Sequence, residues 1–292
     1  MPDSSLVVFQ VLNGLIWGLI IAQLAVGLNL VYGLLNIVNV AQGALFMVGG
    51  YICWFIVGKT GSYFASLLLA PLIVGAVCIL IERFLLRPLE QDSNLTIIAT
   101  IGLMLVLEQA ALWTFGGAVR SVPTPLEFSI PVFGLSYPGY RIFIAGCSVI
   151  VLIALWLFLQ YTRYGLWMRA VKFSPTVSAA FGVPVNRVIG FTFGLGTALA
   201  ALGGVLAAPI VNVRPEMGLD ILITVFIVVI VGGLGSLPGS VIAAVVMTST
   251  EGVAAVFTTP TNARLISLII LALIVLKWPN GIAAALSKQA RQ

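Results

Sequence analysis

From Ser4 to Gly58 the chain carries no charged side chain. Nothing else in its 292 residues restricts the possible folds as strongly. A stretch this long offers water almost nothing, whereas about 20 apolar residues suffice to cross the hydrocarbon of a bilayer. Inside hydrocarbon the backbone must satisfy its own hydrogen bonds, which leaves helices or a closed barrel. Barrel strands alternate apolar and polar residues; these runs are apolar throughout, so helices are expected. The rest of the chain agrees, with 61% apolar and 8% charged residues, against roughly 45–50% and about 25% in a soluble domain. The fold class is all-α, a polytopic transmembrane bundle.

Apolar segments fall near 7–33, 36–57, 63–82, 94–116, 140–160, 188–210, 219–236, 239–257 and 264–278. The seventh and eighth meet at Gly233-Leu234-Gly235-Ser236-Leu237-Pro238-Gly239 with no charged loop between them. They are two spans or a re-entrant pair, giving eight or nine crossings. Asp3 and the lack of a basic residue before the first apolar run argue against a signal peptide, so that span is expected to be retained. Residues 1–292 read as one membrane domain, and the basic excess behind the pI near 9.3 reads as topology, not nucleic-acid binding.

Lysine and arginine set the orientation. One set of loops holds Arg83, Arg87, Arg163, Arg169, Lys172, Arg187, Lys277, Lys288 and Arg291; the opposite set holds Lys59, Arg120, Arg141, Arg214 and Arg264. Nine against five puts the first set, and with nine crossings the C-terminus, in the cytoplasm. The longest polar connections are then 117–139 outside and 161–187 inside. The first, with Pro123, Pro125, Pro131 and Pro138, is expected to be irregular.

Enzymatic chemistry finds little to work with. The chain has no histidine, which removes His-based triads, His metal sites and most proton relays. Gly58-Lys59-Thr60 ends like a P-loop, but Cys53 stands where the first glycine belongs and an apolar helix precedes it. Gly235-Ser236-Leu237-Pro238-Gly239 sets its serine one position early for a nucleophile elbow. The Asn94-Leu95-Thr96 sequon lies in a loop assigned to the inside. Cys53, Cys78 and Cys147 lack metal-type spacing and read as small core hydrophobes.

Three features stand out as candidate transport elements. A polar elbow with Asn36, Asn39, Gln42 and Gly43 separates two apolar runs; a plain short loop and a broken helix beside a permeation path explain it equally well. The turn with Gly232, Gly233, Gly235, Ser236 and Gly239 admits the same two readings. Glu108 and Glu251 stand inside apolar runs, where each would cost a few kcal/mol against lipid. They are expected to be buried and hydrogen-bonded within the bundle. Gly14 with Gly18, and Gly190 with Gly194, have the small-xxx-small spacing that lets helices approach closely.

The loop at 161–187 is the most specific stretch. Ser174 suits an N-cap and Pro175 a first helical position. Thr176, Val177, Ser178, Ala179, Ala180 and Phe181 follow, and then Gly182 and Pro184 stop the run. A two-turn helix is predicted, too short to stand alone in water.

Tyr164-Gly165, Arg169-Ala170, Ala179-Ala180, Gly182 and Arg187-Val188, followed by Gly203-Gly204, resemble the cytoplasmic coupling loop of ABC-importer permeases. The chain resembles more narrowly the branched-chain amino acid (LivH-type) permeases. Gly27-Leu28-Asn29-Leu30-Val31-Tyr32-Gly33 running into Asn36 through Gly43, and Gly232 through Gly239, agree with that family in order and spacing over roughly residues 10 to 280. The family carries histidine where Gln42 stands, which puts leucine, isoleucine or valine as cargo in doubt.

The resemblance implies a non-enzymatic permease subunit of the bacterial inner membrane, with Ser174 to Gly182 coupling it to an ATPase. It would pair with a second homologous permease subunit, sit on two cytoplasmic ATPase subunits and receive cargo from an extracytoplasmic binding protein. ATP and magnesium would be held by the partners, and this chain would hold no cofactor. The implied cargo is branched-chain or other small neutral amino acids, moved by alternating access. Urea, amides or small organic acids, or a self-sufficient channel or carrier, are the alternatives.

Overall fold

The computed structural model describes residues 4–35, 38–89, 92–132 and 135–277. Asn36, Lys288 and Arg291 lie outside the described residues. Each of the nine apolar segments contains a helix: α1 (Ser4–Leu35), α2 (Gln42–Thr60), α3 (Tyr63–Ile81), α4 (Ser93–Phe115), α5 (Gly139–Tyr161), α8 (Val185–Ala207), α9 (Met217–Gly232), α10 (Leu237–Phe257) and α11 (Pro260–Lys277). Between α5 and α8 stand α6 (Arg163–Phe173) and α7 (Pro175–Ala180). Among the described residues, seven helices are long and apolar enough to cross a membrane. Two apolar helices are shorter, Met217–Gly232 and Thr261–Ile274. At about 1.5 Å per residue, the 16 residues of α9 fall short of the roughly 30 Å hydrocarbon core.

Two connections differ from expectation. The 117–139 stretch is not wholly irregular: β1 (Ser129–Val132) and β2 (Leu135–Pro138) pair antiparallel, Ser129 opposite Pro138 and Val132 opposite Leu135. A two-stranded ribbon leaves each strand an unpaired edge, where Pro131 and Pro138 cost no essential ladder bond. The 161–187 connection is mostly helical. Its polar composition hid a second helix, α6, whose N-cap is Thr162, with Oγ1 accepting from the Gly165 amide at 3.1 Å.

The chain separates into two compact units: Met1–Val26, Thr124–Val149 and Thr224–Gln292 form one, Gly27–Pro123 and Ile150–Ile223 the other. In the first, Gly14 and Gly18 face Thr248, and a Cβ on Gly14 would sit 2.4 Å from the Thr248 carbonyl oxygen. Tyr137 donates to Asn13 Oδ1 at 2.9 Å and packs edge-on against Phe9.

The second unit is built on α2, α3 and α8. Gly49 meets Ala201, Gly204 meets the Phe46 carbonyl, and Gly75 and Gly194 face each other's carbonyl oxygens. With little hydrophobic force between helices in lipid, close backbone packing is what holds them. The Gly190–Gly194 spacing therefore marks a real seam, formed with α3. At the far end of α2, the Arg120 guanidinium lies 4.8 Å over the Trp54 ring and donates to the Phe115 carbonyl at 2.8 Å. Arg120 also pairs with Val213 through the backbone.

Candidate functional site

The polar elbow turns its amides inward. Gln42 opens α2 fully buried, donating from Nε2 to the Gly196 carbonyl of α8 at 3.0 Å. Its Oε1 accepts from Asn39 Nδ2 at 3.3 Å, and Asn39 Oδ1 accepts from the Ala41 amide at 3.1 Å. Thr100 of α4 adds a hydroxyl that accepts from the Val40 amide at 3.4 Å. The break in the helix thus has its freed backbone groups met by side chains, as lipid depth demands. Gly43 is a packing position: a Cβ there would lie 2.1 Å from the Gly218 carbonyl oxygen.

The glycine turn has its own local logic. Gly233 and Gly235 adopt φ of 101° and 79°, a region side chains with a Cβ avoid. Ser236 then caps α10, its Oγ accepting from the Gly239 amide at 3.3 Å, with Pro238 in the first turn. A Cβ on Gly232 would lie 2.6 Å from the Gly239 backbone, so the two helix ends touch.

Glu108 and Glu251 are not the buried carboxylates. Each is half-exposed, and neither has a hydrogen bond among the described residues. Helix α4 packs through the narrow row Thr96, Thr100, Leu103 and Ala111, and Glu108 borders it. The buried positions of α10 end at Thr248, one turn before Glu251, on which the Arg264 charge of α11 acts. That lipid penalises a charge says a protein face must cover it, not that this chain supplies the face.

The buried carboxylate is Glu82, 1% exposed at the end of α3. There the helix widens into a π-turn, Glu82–Leu86, in which the Arg87 amide bonds to the Glu82 carbonyl. In an α-helix, residues five apart point about 140° away from each other; the wider i→i+5 turn brings them together. Arg87 Nη2 and Nε consequently grip the carboxylate at 2.8 and 3.1 Å, and Nη2 also donates to the Asn186 carbonyl at 2.9 Å. From sequence, Arg87 read only as a loop cation; the available signal was an Arg-Pro pair five residues past a glutamate at a span end.

The α6–α7 segment completes the picture. Ser174 caps α7, its Oγ accepting from the Val177 amide at 3.3 Å, with Pro175 in the first turn. Phe181 closes the helix and Gly182 takes a left-handed φ of 80°, its amide bonding to the Ala179 carbonyl at 2.9 Å. Below lies a buried cluster of Met168, Val171, Val188 and Ile189, with Trp167, Val183 and Phe158 packed on it. Arg169 bonds the Leu159 carbonyl at the end of α5. Ser178 is buried, whereas Pro175, Thr176, Val177, Ala179 and Ala180 are exposed. Phe173 and Phe181, at the two ends of α7, are 93% and 85% exposed. An apolar, capped, supported rod facing outward is the shape of a docking element.

Comparison with known proteins identifies the family. The chain is 29% identical over 94% of both chains to the high-affinity branched-chain amino acid transport system permease protein LivH of Salmonella typhimurium. It is 28% identical over 97% of both to BraD, a permease protein of the same kind, of Pseudomonas aeruginosa. A more distant relative, 27% identical over 85% of this chain and 72% of the other, is the fructose import permease protein FrcC of Rhizobium meliloti. The profile described as "Branched-chain amino acid transport system / permease component" matches residues 10–276. A multi-pass helical membrane protein built this way, and matched over nearly its whole length, belongs to that family of transport permease components.

Proposed function

We propose that this chain is one membrane subunit of an ATP-driven importer and that α7 is where an ATPase docks. The observation that carries this reading is the exposure of Val177 on α7, and of Phe173 and Phe181 flanking it, where cap and platform support the helix. Aromatic anchors on a supported surface are the usual core of a protein interface. On this reading α7 is cytoplasmic, as the lysine and arginine bias predicts, and the membrane is the bacterial inner membrane. Two ATPase subunits hold ATP and magnesium, a second homologous permease completes the pathway, and an external binding protein delivers cargo. ATPase closure displaces α7 and switches the cavity by alternating access.

The cargo class we infer is a branched-chain or other small neutral amino acid, following the names of the LivH and BraD relatives. FrcC, a fructose permease by name, favours a second reading in which cargo varies widely on this scaffold and is chosen by the binding protein. Uptake of labelled leucine and fructose by the reconstituted assembly separates the two. The elbow residues Asn39, Gln42 and Gly43 border the translocation path as supports, because their polar groups are already engaged. The glycine turn borders the path at Ser236, which is half-buried. Cysteines at 39 and 42, both buried, are therefore expected to label slowly with water-soluble thiol reagents, and one at the half-buried position 236 faster; equal rates would refute the distinction. Glu108 and Glu251 we assign to faces covered by partner chains.

Ala180→Glu tests the docking assignment. Expected are normal membrane levels and loss of the co-purifying ATPase. Retention of the ATPase with normal transport would sink it.

A further inference from the structure

We infer that Glu82 and Arg87 form a strut that ties the exit of the coupling helix to α3, so that motion of α7 becomes motion of the α3–α8 pair. The inference rests on the docking role of α7 and adds the next link inward. Three observations carry it. First, Glu82 is buried yet charged, and its partner Arg87 reaches past it to the Asn186 carbonyl in the first turn of α8. Asn186 lies four residues beyond Gly182, where α7 hands over to α8. Second, α8 is shaped to receive the pair: a Cβ on Gly190 would sit 2.9 Å from Glu82 Oε2 and 3.6 Å from Arg87 Nη2. Third, the pair exists only because the helix changes to a π-turn at this point, a departure that costs regular hydrogen bonding and recurs at functional places.

Stability does not explain such an arrangement. A buried ion pair seldom outperforms apolar side chains of similar volume, because desolvation offsets most of the attraction. Direction does explain it. A bidentate arginine fixes both distance and angle, so Glu82 holds the Arg87 guanidinium in place on α3, and α8 cannot slide along α3 at this end without breaking the Arg87–Asn186 bond. One helical turn further into the seam, Gly194 lies against Gly75 and Ile79 in close backbone contact. The ion-paired end lies beside α7, where a push would arrive.

Glu82→Gln, Gly190→Ala and the paired apolar replacement Glu82→Met with Arg87→Met test the strut in the complete transporter in proteoliposomes. The measured quantity is cargo moved per ATP hydrolysed. Each variant is expected to keep the ATPase bound and hydrolysing while this ratio falls at least about fivefold. Ala180→Glu, by contrast, should lose the ATPase itself, so a failed docking assignment and a failed strut give different results. A wild-type ratio in the apolar pair would overturn the proposal. So would absence of all three variants from the membrane, which would make Glu82 and Arg87 a plain assembly contact.

Discussion

At the elbow, two amides are buried among packed helices; flanking α7, two phenylalanines stand exposed. Asn39 and Gln42 spend their hydrogen bonds on each other, on the Ala41 amide and on the Gly196 carbonyl. Phe173 and Phe181 touch little of their own chain. Both regions reverse the usual sorting of side chains, yet they mean different things. A buried polar group that is fully paired has completed its work inside the subunit. An exposed aromatic pair on a rigid support has its partner elsewhere.

Substitutions ranked by their expected effect on the isolated subunit sharpen that contrast. Gly43→Val should be the most damaging, since its Cβ would meet the Gly218 carbonyl at 2.1 Å and backbone cannot yield there. Overpacking typically costs about 1–3 kcal/mol and more where nothing moves; loss of monodisperse protein in detergent is the expected readout. Gln42→Leu comes next. It strands Asn39 and the Gly196 carbonyl, at about 1–3 kcal/mol for a buried group left unpaired, seen as a lower melting midpoint. Gln42→His, which keeps a ring donor, should recover part of that loss. If Leu and His melt alike, the elbow is held by shape and not by hydrogen bonds.

Ser174→Ala removes a cap worth about 1 kcal/mol, but only from the short α7. The global midpoint should hold while amide exchange at Val177 and Ser178 accelerates. Phe181→Ala should change subunit stability least, within about 0.5 kcal/mol as for exposed sites generally. It should nevertheless weaken ATPase association at least tenfold. A drop in melting midpoint matching that of Gln42→Leu would show Phe181 to be core, and the comparison would collapse.

Much of this was legible in the residues. The Ser174–Pro175 start and the Gly182 stop are local signals, satisfied by neighbours in the chain, and they are found as predicted. The Gly190–Gly194 spacing announced a seam in the same way, because small side chains recur on one helix face wherever backbones meet. Membrane spans were readable for a related reason, since lipid acts on every residue of a segment and leaves a long, redundant signature.

Other features needed distant parts of the chain. Glu108 and Glu251 were expected to be buried, but composition cannot reveal which helix face its own chain leaves uncovered. Glu82 gave little warning beyond the Arg-Pro pair five residues on, because its pairing with Arg87 depends on a π-turn that no α-helical spacing anticipates, and on the space above Gly190. The inward turn of Gln42 depends on a carbonyl 154 positions away. The sequence by itself determined the helices, their caps and their small-residue seams, since those follow from neighbours within a turn or two and from the solvent. Only the tertiary structure decided which polar groups find partners, because a hydrogen bond requires two groups within about 3 Å, and the chain brings them there from anywhere along its length.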